Sequence, residues 1–499
     1  MLPLVAGKTL GDFLHPGYAA ASTARAFWRH SHKAAHNYAG GVDAAGQSIL
    51  PPHPNETESR FTQRKTAAIA RPYCRSILSR FNDFVTRHDV VRAKAAGPYA
   101  AFIDDATGNG VSLDRLLKRA LRRAQIEAAS YLLCDALRPE QFPTAAAAQA
   151  AGQRGVVRLI SADAILDWRE VDGEIVEAAI LLEDVTGFFI WNVDRSHVQR
   201  VEVEGDRHAA WSGWKIANVF EAQTHTYGAC PLVRLRPEFD EEDGGNGDSQ
   251  AAPIAESQRR ICNFESWHWE ELRNITFTTT VLLGVDPQTV KDVAIGPGKA
   301  LCVPQAPGGS LPQVGKIAAD TAQAQSLRDA VRDEIREVYR AAGLAAGNPE
   351  EVGAPESGVA KAFRFDEVAA KLKALADACE AAENGIVERL AKDGGWAYPG
   401  DANWPDEFDA PDLAAELDDV IRLESSHAPA VLVEQAWRDY AALAFSLDAA
   451  QTARLEAELT EASERKAEAR ENPFGGLFGD MRPVEKPGAG KPPTPPPQP

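Results

Sequence analysis

Few residues in this chain have the types and spacing that chemistry requires. His30, His32 and His36 are the best metal-ligand candidates. On a helix His32 and His36 would share a face, the spacing that HExxH metallohydrolases use. The glutamate between them is missing and no third ligand stands out, so a solvated segment is the simpler expectation and a metal-dependent hydrolase the remote alternative. DDATGNG at 104–110 has the composition of a calcium loop without its alternating ligands or closing Glu. GPGK at 296–299 invites comparison with a phosphate loop, but that pattern needs a glycine where Val293 stands. Six cysteines (Cys74, Cys134, Cys230, Cys262, Cys302, Cys379) form no CxxC pair and sit mostly in apolar contexts such as YLLC and ALCVP. They read as reduced, buried thiols. The expectation is no catalytic residue, no cofactor and no metal.

What does stand out is a row of cations. Arg328, Arg332, Arg336 and Arg340 recur at i,i+4 and therefore share one helix face. Asp333 and Glu337 lie three residues before Arg336 and Arg340, so intrahelical pairs can neutralise much of the row. It is read first as a solvated or intersubunit salt-bridge face, and second as a direct contact with DNA. The row's helix leads into a loop holding Gly347, Asn348, Pro349, Glu350, Glu351, Gly353, Pro355, Glu356 and Gly358. A second long helix follows, to about Lys392. Two helices presenting a loop with no catalytic group suggest mechanical or channel-lining work.

The elements around them belong to an ordinary globular chain of 499 residues, 44% hydrophobic and 25% charged, long enough for two to four domains. The net charge of −19 is unevenly spread: residues 1–130 hold 18 Lys+Arg against 10 Asp+Glu, the remainder 35 against 62. That balance argues against a sequence-reading DNA-binding protein, which needs a concentrated basic face. It is compatible with DNA as a passing cargo, because an acidic wall repels a phosphate backbone. The N-terminus does not resemble a signal peptide, and Glu177, Glu183 and Asp184 interrupt the most apolar later stretch, far short of the ~20 residues a membrane span needs. The expectation is a soluble intracellular chain with no membrane partner.

In chain order, residues 1–50 read as an arm with one short helix near 21–35. Residues 56–88 give two helices meeting at Pro72. Ser112 is the predicted N-cap of a helix with Leu113, Leu116, Leu117, Leu121 and Ala124 on its apolar face. Residues 155–237 are strand-rich, with a hairpin turn at Asp172-Gly173 and a closing strand in CPLVRLRPEF. A helix with Ile254, Ile261, Phe264, Trp267 and Leu272 in its stripe weakens at the threonine-rich 276–280. Short strands and Pro/Gly turns fill 284–317, acidic helices follow 396, and 471–499 is a low-complexity Pro-rich tail.

This order of elements resembles the portal (head-to-tail connector) proteins of tailed bacteriophages, over roughly 55–395. The residues that carry the resemblance are ETESRFTQRKTAAIARPYCRSIL, SADAILDWREVDGEIVEAAIL, TYGACPLVRLRP, AIGPGKALCVP and, most tellingly, ESGVAKAFRFDEVAAKLKALADACEAAENGI. The resemblance implies an α+β, mainly α, portal fold with wing, stem, clip and crown regions, assembling as a ring. Its expected divisions are an N-terminal arm (1–50), wing (51–250), first stem helix (251–283), clip (284–317), second stem helix (318–346), tunnel loop (347–358), long wing helix (359–395), crown-like region (396–470) and disordered tail (471–499). Lys291, Lys299, Pro304 and Gln305 become the clip candidates. The implied partners are further copies of the chain, typically twelve in all, double-stranded DNA in transit, a terminase, a head-completion adaptor, and a major capsid or scaffolding protein. The implied place is a capsid vertex of the virion, after assembly in the host cytoplasm. Another capsid-associated component, a minor head or adaptor protein, is the nearer alternative.

Overall fold

The fold is described from a computed structural model covering residues 2–92, 97–136, 155–184, 187–205, 213–237, 249–276, 279–283, 300–303, 313–317, 321–344, 358–406 and 408, with scattered positions between 420 and 438. It divides into two units, 1–408 and 409–499. In the second, a helical turn runs through 420–423 and Val420 is buried. All that follows concerns the first.

Capping chemistry sets the early helices. α1 (Tyr18–Lys33) ends where Ala34 turns left-handed, at φ 44°. α2 (Glu58–Ala67) starts on Thr57, whose hydroxyl accepts from the Arg60 amide at 3.4 Å. Pro72 has no amide proton to continue a helix, and α3 (Tyr73–Val85) begins directly after it. α4 (Pro98–Asp104) carries proline at its first position, where it is tolerated. α5 (Leu113–Glu127) starts on Ser112 as the sequence predicts, the hydroxyl accepting from the Arg115 amide at 3.4 Å.

Three sheets follow. β1 (Ser130–Ala136) pairs antiparallel with β2 (Gly155–Ile160). β3 (Ile165–Val171), β4 (Glu174–Asp184), β5 (Gly187–Val193), β6 (His197–Glu204) and β7 (Lys215–Val219) form an antiparallel meander in chain order, with β8 (Gln223–Thr224) on β6. Asp172 and Gly173 join β3 to β4 with φ of 51° and 81°, the positive values a tight hairpin turn demands. Alternation then sends Ala178 and Ile180 to one core and Ala179, Ile190 and Val201 to another, so both faces are covered. β9 (Leu232–Leu235) does not close this meander. It returns to β1, because Leu232, Val233 and Leu235 are all needed inside.

The long helices complete the frame. α6 (Ala251–Thr276) stops at the predicted threonine-rich stretch, and β10 (Thr279–Leu283) starts within it. β10 is the centre of a small sheet, parallel to β11 (Ala300–Val303) and antiparallel to β12 (Gln313–Ile317). The first stem segment therefore ends as helix at 276, its last residues belonging to this sheet. α7 (Thr321–Ala341) and α8 (Gly358–Gly394) follow. Leu372, Leu375, Cys379, Ala382, Ile386 and Leu390 recur at three and four residues, and α8 buries them in the main core beside Leu78, Leu117, Leu121 and Ile254. Gly155 of β2 lies so close to α8 that an added Cβ would sit 2.5 Å from Leu390.

Two expectations fail here for the same reason, long-range packing. Residues 1–50 are no arm: Leu4, Leu10 and Tyr18 cover one face of the meander, while Phe27, Tyr38 and Ile49 pack with Ala255 and Cys262 of α6. Backbone bonds from Gly7 to Ile216, and from Ile216 back to Lys8, lay the first residues along β7. At the other end, 396–408 packs on the main core through Trp396, Ala402, Trp404 and Phe408 rather than opening a separate helical region.

Candidate functional site

α6 and α7 run antiparallel: Arg260 meets Glu334 at 3.4 Å, while Trp267 and Leu327 share a cleft. Ile254, Ile261, Val331, Ile335 and Val338 seat the pair's near end in the main core. The other end runs on past it, with Trp269 60% and Leu272 37% exposed. α2 and the linker that follows it brace α6: Arg71 of the linker binds Glu265 at 2.6 Å, and Arg64 of α2 donates to the hydroxyl of Ser266 at 3.2 Å. Arg64 also holds Glu56 at 2.6 Å, and these hydrogen bonds pull the Glu56 carboxyl down to about 2.

The four arginines of α7 fall as predicted on one face. Arg332 lies 3.6 Å from Asp329, Arg336 2.7 Å from Asp333 and Arg340 2.6 Å from Glu337. Arg328 is exposed and makes no ion pair among the described residues. Residues 347–357 and the clip candidates Lys291, Lys299, Pro304 and Gln305 lie outside the described residues, while Gly358 is the first residue of α8.

The histidines do not converge. α1 ends at Lys33, so no helical turn sets His36 beside His32. His30 stacks on Tyr38 with ring centroids 5.2 Å apart. Burial, followed by the charges of Arg75 and Arg122, pushes His32 down to about 4. Cys74, Cys134, Cys230, Cys262 and Cys379 are free and buried, and burial raises the first four to between about 11 and 12, away from nucleophilic use. A cleft of about 480 Å³ beside α8 is lined by Glu174, Asn384, Glu388, Lys392, Tyr398 and Asp401, among other residues. Four of these groups pair with one another, Lys392 with Glu388 at 2.7 Å and Tyr398 with Asp401 at 2.6 Å.

The most heavily bonded carboxylate is structural. Glu383, fully buried on α8, accepts from Arg92 at 2.6 and 3.0 Å, from the Trp404 indole at 3.0 Å and from the Tyr99 hydroxyl at 3.4 Å. A second cluster ties α1 to α5 and to the short turn before β3: Arg25 meets Asp163 at 2.7 Å, and Arg29 reaches both Asp163 and Glu127. Sequence pattern passed over the polar face of α5, which carries Arg115, Lys118, Arg119, Arg122 and Arg123. The signal was the absence of acidic residues among them.

No protein-family model matches this chain, and no curated protein matches its sequence. Among solved structures it is similar to a chain from the neck of an empty gene transfer agent (GTA) particle computed with C6 symmetry, at 13% identity and a TM-score of 0.43, covering 77% of this chain and 95% of that one. A chain from the virion of a native GTA particle aligns at 12% identity and 0.42, covering 83% and 98%. One from the neck of a native GTA particle computed with C12 symmetry aligns at 13% and 0.37, covering 70% and 84%. Superpositions this loose assign no function, and none is taken from them.

Proposed function

We propose that this chain is the repeating, non-enzymatic subunit of a portal-type ring at a capsid vertex, through which double-stranded DNA is packaged and later ejected. The observation that supports it is the antiparallel α6–α7 pair bracketing a small three-stranded sheet, with α8 returning into the main core. In this role α6 and α7 are the stem. At 26 and 21 residues and 1.5 Å per residue they reach about 39 and 32 Å, enough for a channel wall. The sheet of β10, β11 and β12 is the core of the clip, where terminase and then a head-completion adaptor dock. The meander, the sheet of β1, β2 and β9 and the early helices, with α8, form the wing that meets the major capsid or scaffolding protein. Residues 347–358 supply the tunnel loop, whose Glu350, Glu351 and Glu356 keep phosphate from being gripped. The later acidic stretch supplies the crown.

The arginine row of α7 acts in this scheme at a contact between subunits, since three of its four members already hold an acidic partner three residues earlier. Negative-stain imaging of purified protein, with native mass measurement, tests the whole assignment. Rings with a central opening and a mass of about twelve 53.9 kDa chains are expected. A chain that stays monomeric at every concentration overturns it. Arg332→Gln with Arg336→Gln tests the row: failed assembly places it at the interface, whereas intact rings whose packaging loses salt sensitivity place it on DNA.

A further inference from the structure

Helix α5 gives its entire polar face to cations. Leu113, Leu116, Leu117, Ala120, Leu121 and Ala124 are buried on one side. Arg115, Lys118, Arg119, Arg122 and Arg123 occupy about 140° of arc on the other, at 3.6 residues per turn. Asp114 is drawn away by Arg92, 2.6 Å distant. Lys118 pairs with Asp83 at 3.0 Å, but Arg115, Arg119, Arg122 and Arg123 form no ion pair among the described residues. α3 extends the patch with the exposed Arg75, which with Arg122 acts on His32. Arg75 is fixed there by donating to the carbonyl oxygens of His32, at 3.2 Å, and Lys33.

The seam between these helices is electrically incomplete. Nε of Arg122 and, on the adjoining α1, Nε2 of His32 are buried without a hydrogen-bond partner among the described residues. Like charges at three- and four-residue spacing repel and destabilise a helix, so five of them on one face work against folding. The chain has the means to neutralise such a row, as α7 does with Asp329, Asp333 and Glu337. On α5 it does not.

We propose that the α5 face, with Arg75 of α3, binds the phosphate backbone of double-stranded DNA without reading its sequence. The proposal rests on DNA as the cargo of the assembly and names where this chain touches it. Arg115 to Arg123 spans about 12 Å at 1.5 Å per residue, the axial run of three to four phosphates of one strand at 3.4 Å each. Guanidinium forks match phosphate oxygens two at a time, which a lysine face would not. The net charge of −19 on the whole chain disfavours DNA binding away from such basic patches. The contact is therefore local and strongly salt-dependent, and it lets the duplex move.

The experiment measures binding of the purified full chain to a fluorescein-labelled random-sequence duplex by anisotropy across a salt titration. R115Q/R119Q/R123Q is compared with R332Q/R336Q of α7, and thermal melts confirm that both fold; R119E alone serves if the triple variant does not. The α5 variant is expected to lose at least about tenfold in affinity, and its slope of log K against log salt should shrink by about 2.7, at 0.9 per phosphate. The α7 variant should match the wild type. Unchanged binding by the α5 variant overturns the proposal. So does a wild type that ignores the duplex but holds polyglutamate through Arg115, Arg119 and Arg123, which would assign the face to an acidic protein. Mass photometry of the same samples scores ring formation separately. A monomer that binds duplex through α5 sinks the ring and leaves this inference standing, whereas rings indifferent to duplex do the reverse.

Discussion

Two helices of this chain carry arginine at helical spacing, and only one of them balances its own charge. On α7 an acidic side chain precedes each of Arg332, Arg336 and Arg340 by three residues and closes on it at 3.6 Å or less. On α5 the one nearby acid in the first turn, Asp114, faces Arg92, leaving Arg115 and Arg119 exposed and Arg122 and Arg123 half-buried, with no ion pair among the described residues. A count of cations would rank the two rows alike. What separates them is where the acids fall: an acid one turn before a base pairs with it, while an acid 100° around the helix does not. A row that repels itself costs stability unless something outside the chain completes it.

The largest test of that distinction uses a charge pair the fold cannot do without. Glu383→Ala leaves Arg92 only the exposed Asp114 as partner and frees the buried Trp404 indole, so urea unfolding should show a loss of about 3 kcal/mol. A loss below about 1 kcal/mol would put this pair in the same class as the α7 surface pairs and erase the contrast. Acid comes next. Burial, then Arg75 and Arg122, hold His32 at about 4 against an ordinary 6.5, so the unfolded chain takes up its proton first. Stability should fall between pH 6.5 and about 4, and His32→Asn should flatten that part of the melting-temperature profile. Glu56 lies below its ordinary 4.5, at about 2, so its bond to Arg64 contributes fully above pH 4.5 and is lost as pH falls towards 2. Glu56→Gln should remove only that lower stage.

Smaller still is Arg336→Gln, which removes an exposed intrahelical pair and should cost at most about 1 kcal/mol by the same unfolding measurement. Arg119→Gln should cost nothing, or gain about 0.2–0.5 kcal/mol as repulsion within the row is relieved. A clear loss there would mean the α5 row has a partner inside the chain, and the two helices would then teach the same lesson.

Much of the frame was legible where the signal is local. Pro72, Ser112, the Asp172-Gly173 turn and the threonine-rich end of α6 each act through their own backbone, and each punctuates the fold where the sequence places it. Non-local placement was not legible. Nothing in MLPLVAGKTLGDF tells that Leu4 and Leu10 will lie against Val201 and Ile216, some 200 positions later. CPLVRLRP looks like the next strand of a meander, yet β9 answers to β1, nearly 100 residues earlier. Of the candidate site residues, the α7 row and its pairing acids could be read because they sit one turn apart. The α5 face escaped because its information is an absence, the acids that spacing would allow and the sequence withholds.

The packed N-terminal segment also has a consequence in time. Leu4 and Leu10 leave the ribosome well ahead of their cover, which ends at Ile216 about 200 residues later. At 5–20 residues per second that interval is roughly 10–40 s. During it Leu4, Leu10 and Phe13 are exposed apolar side chains on a nascent chain, waiting for a sheet that does not yet exist. A segment made about 200 residues before its sheet thus cannot fold until that sheet forms, and the edge of β7 stays open to a wrong strand until the segment docks on it.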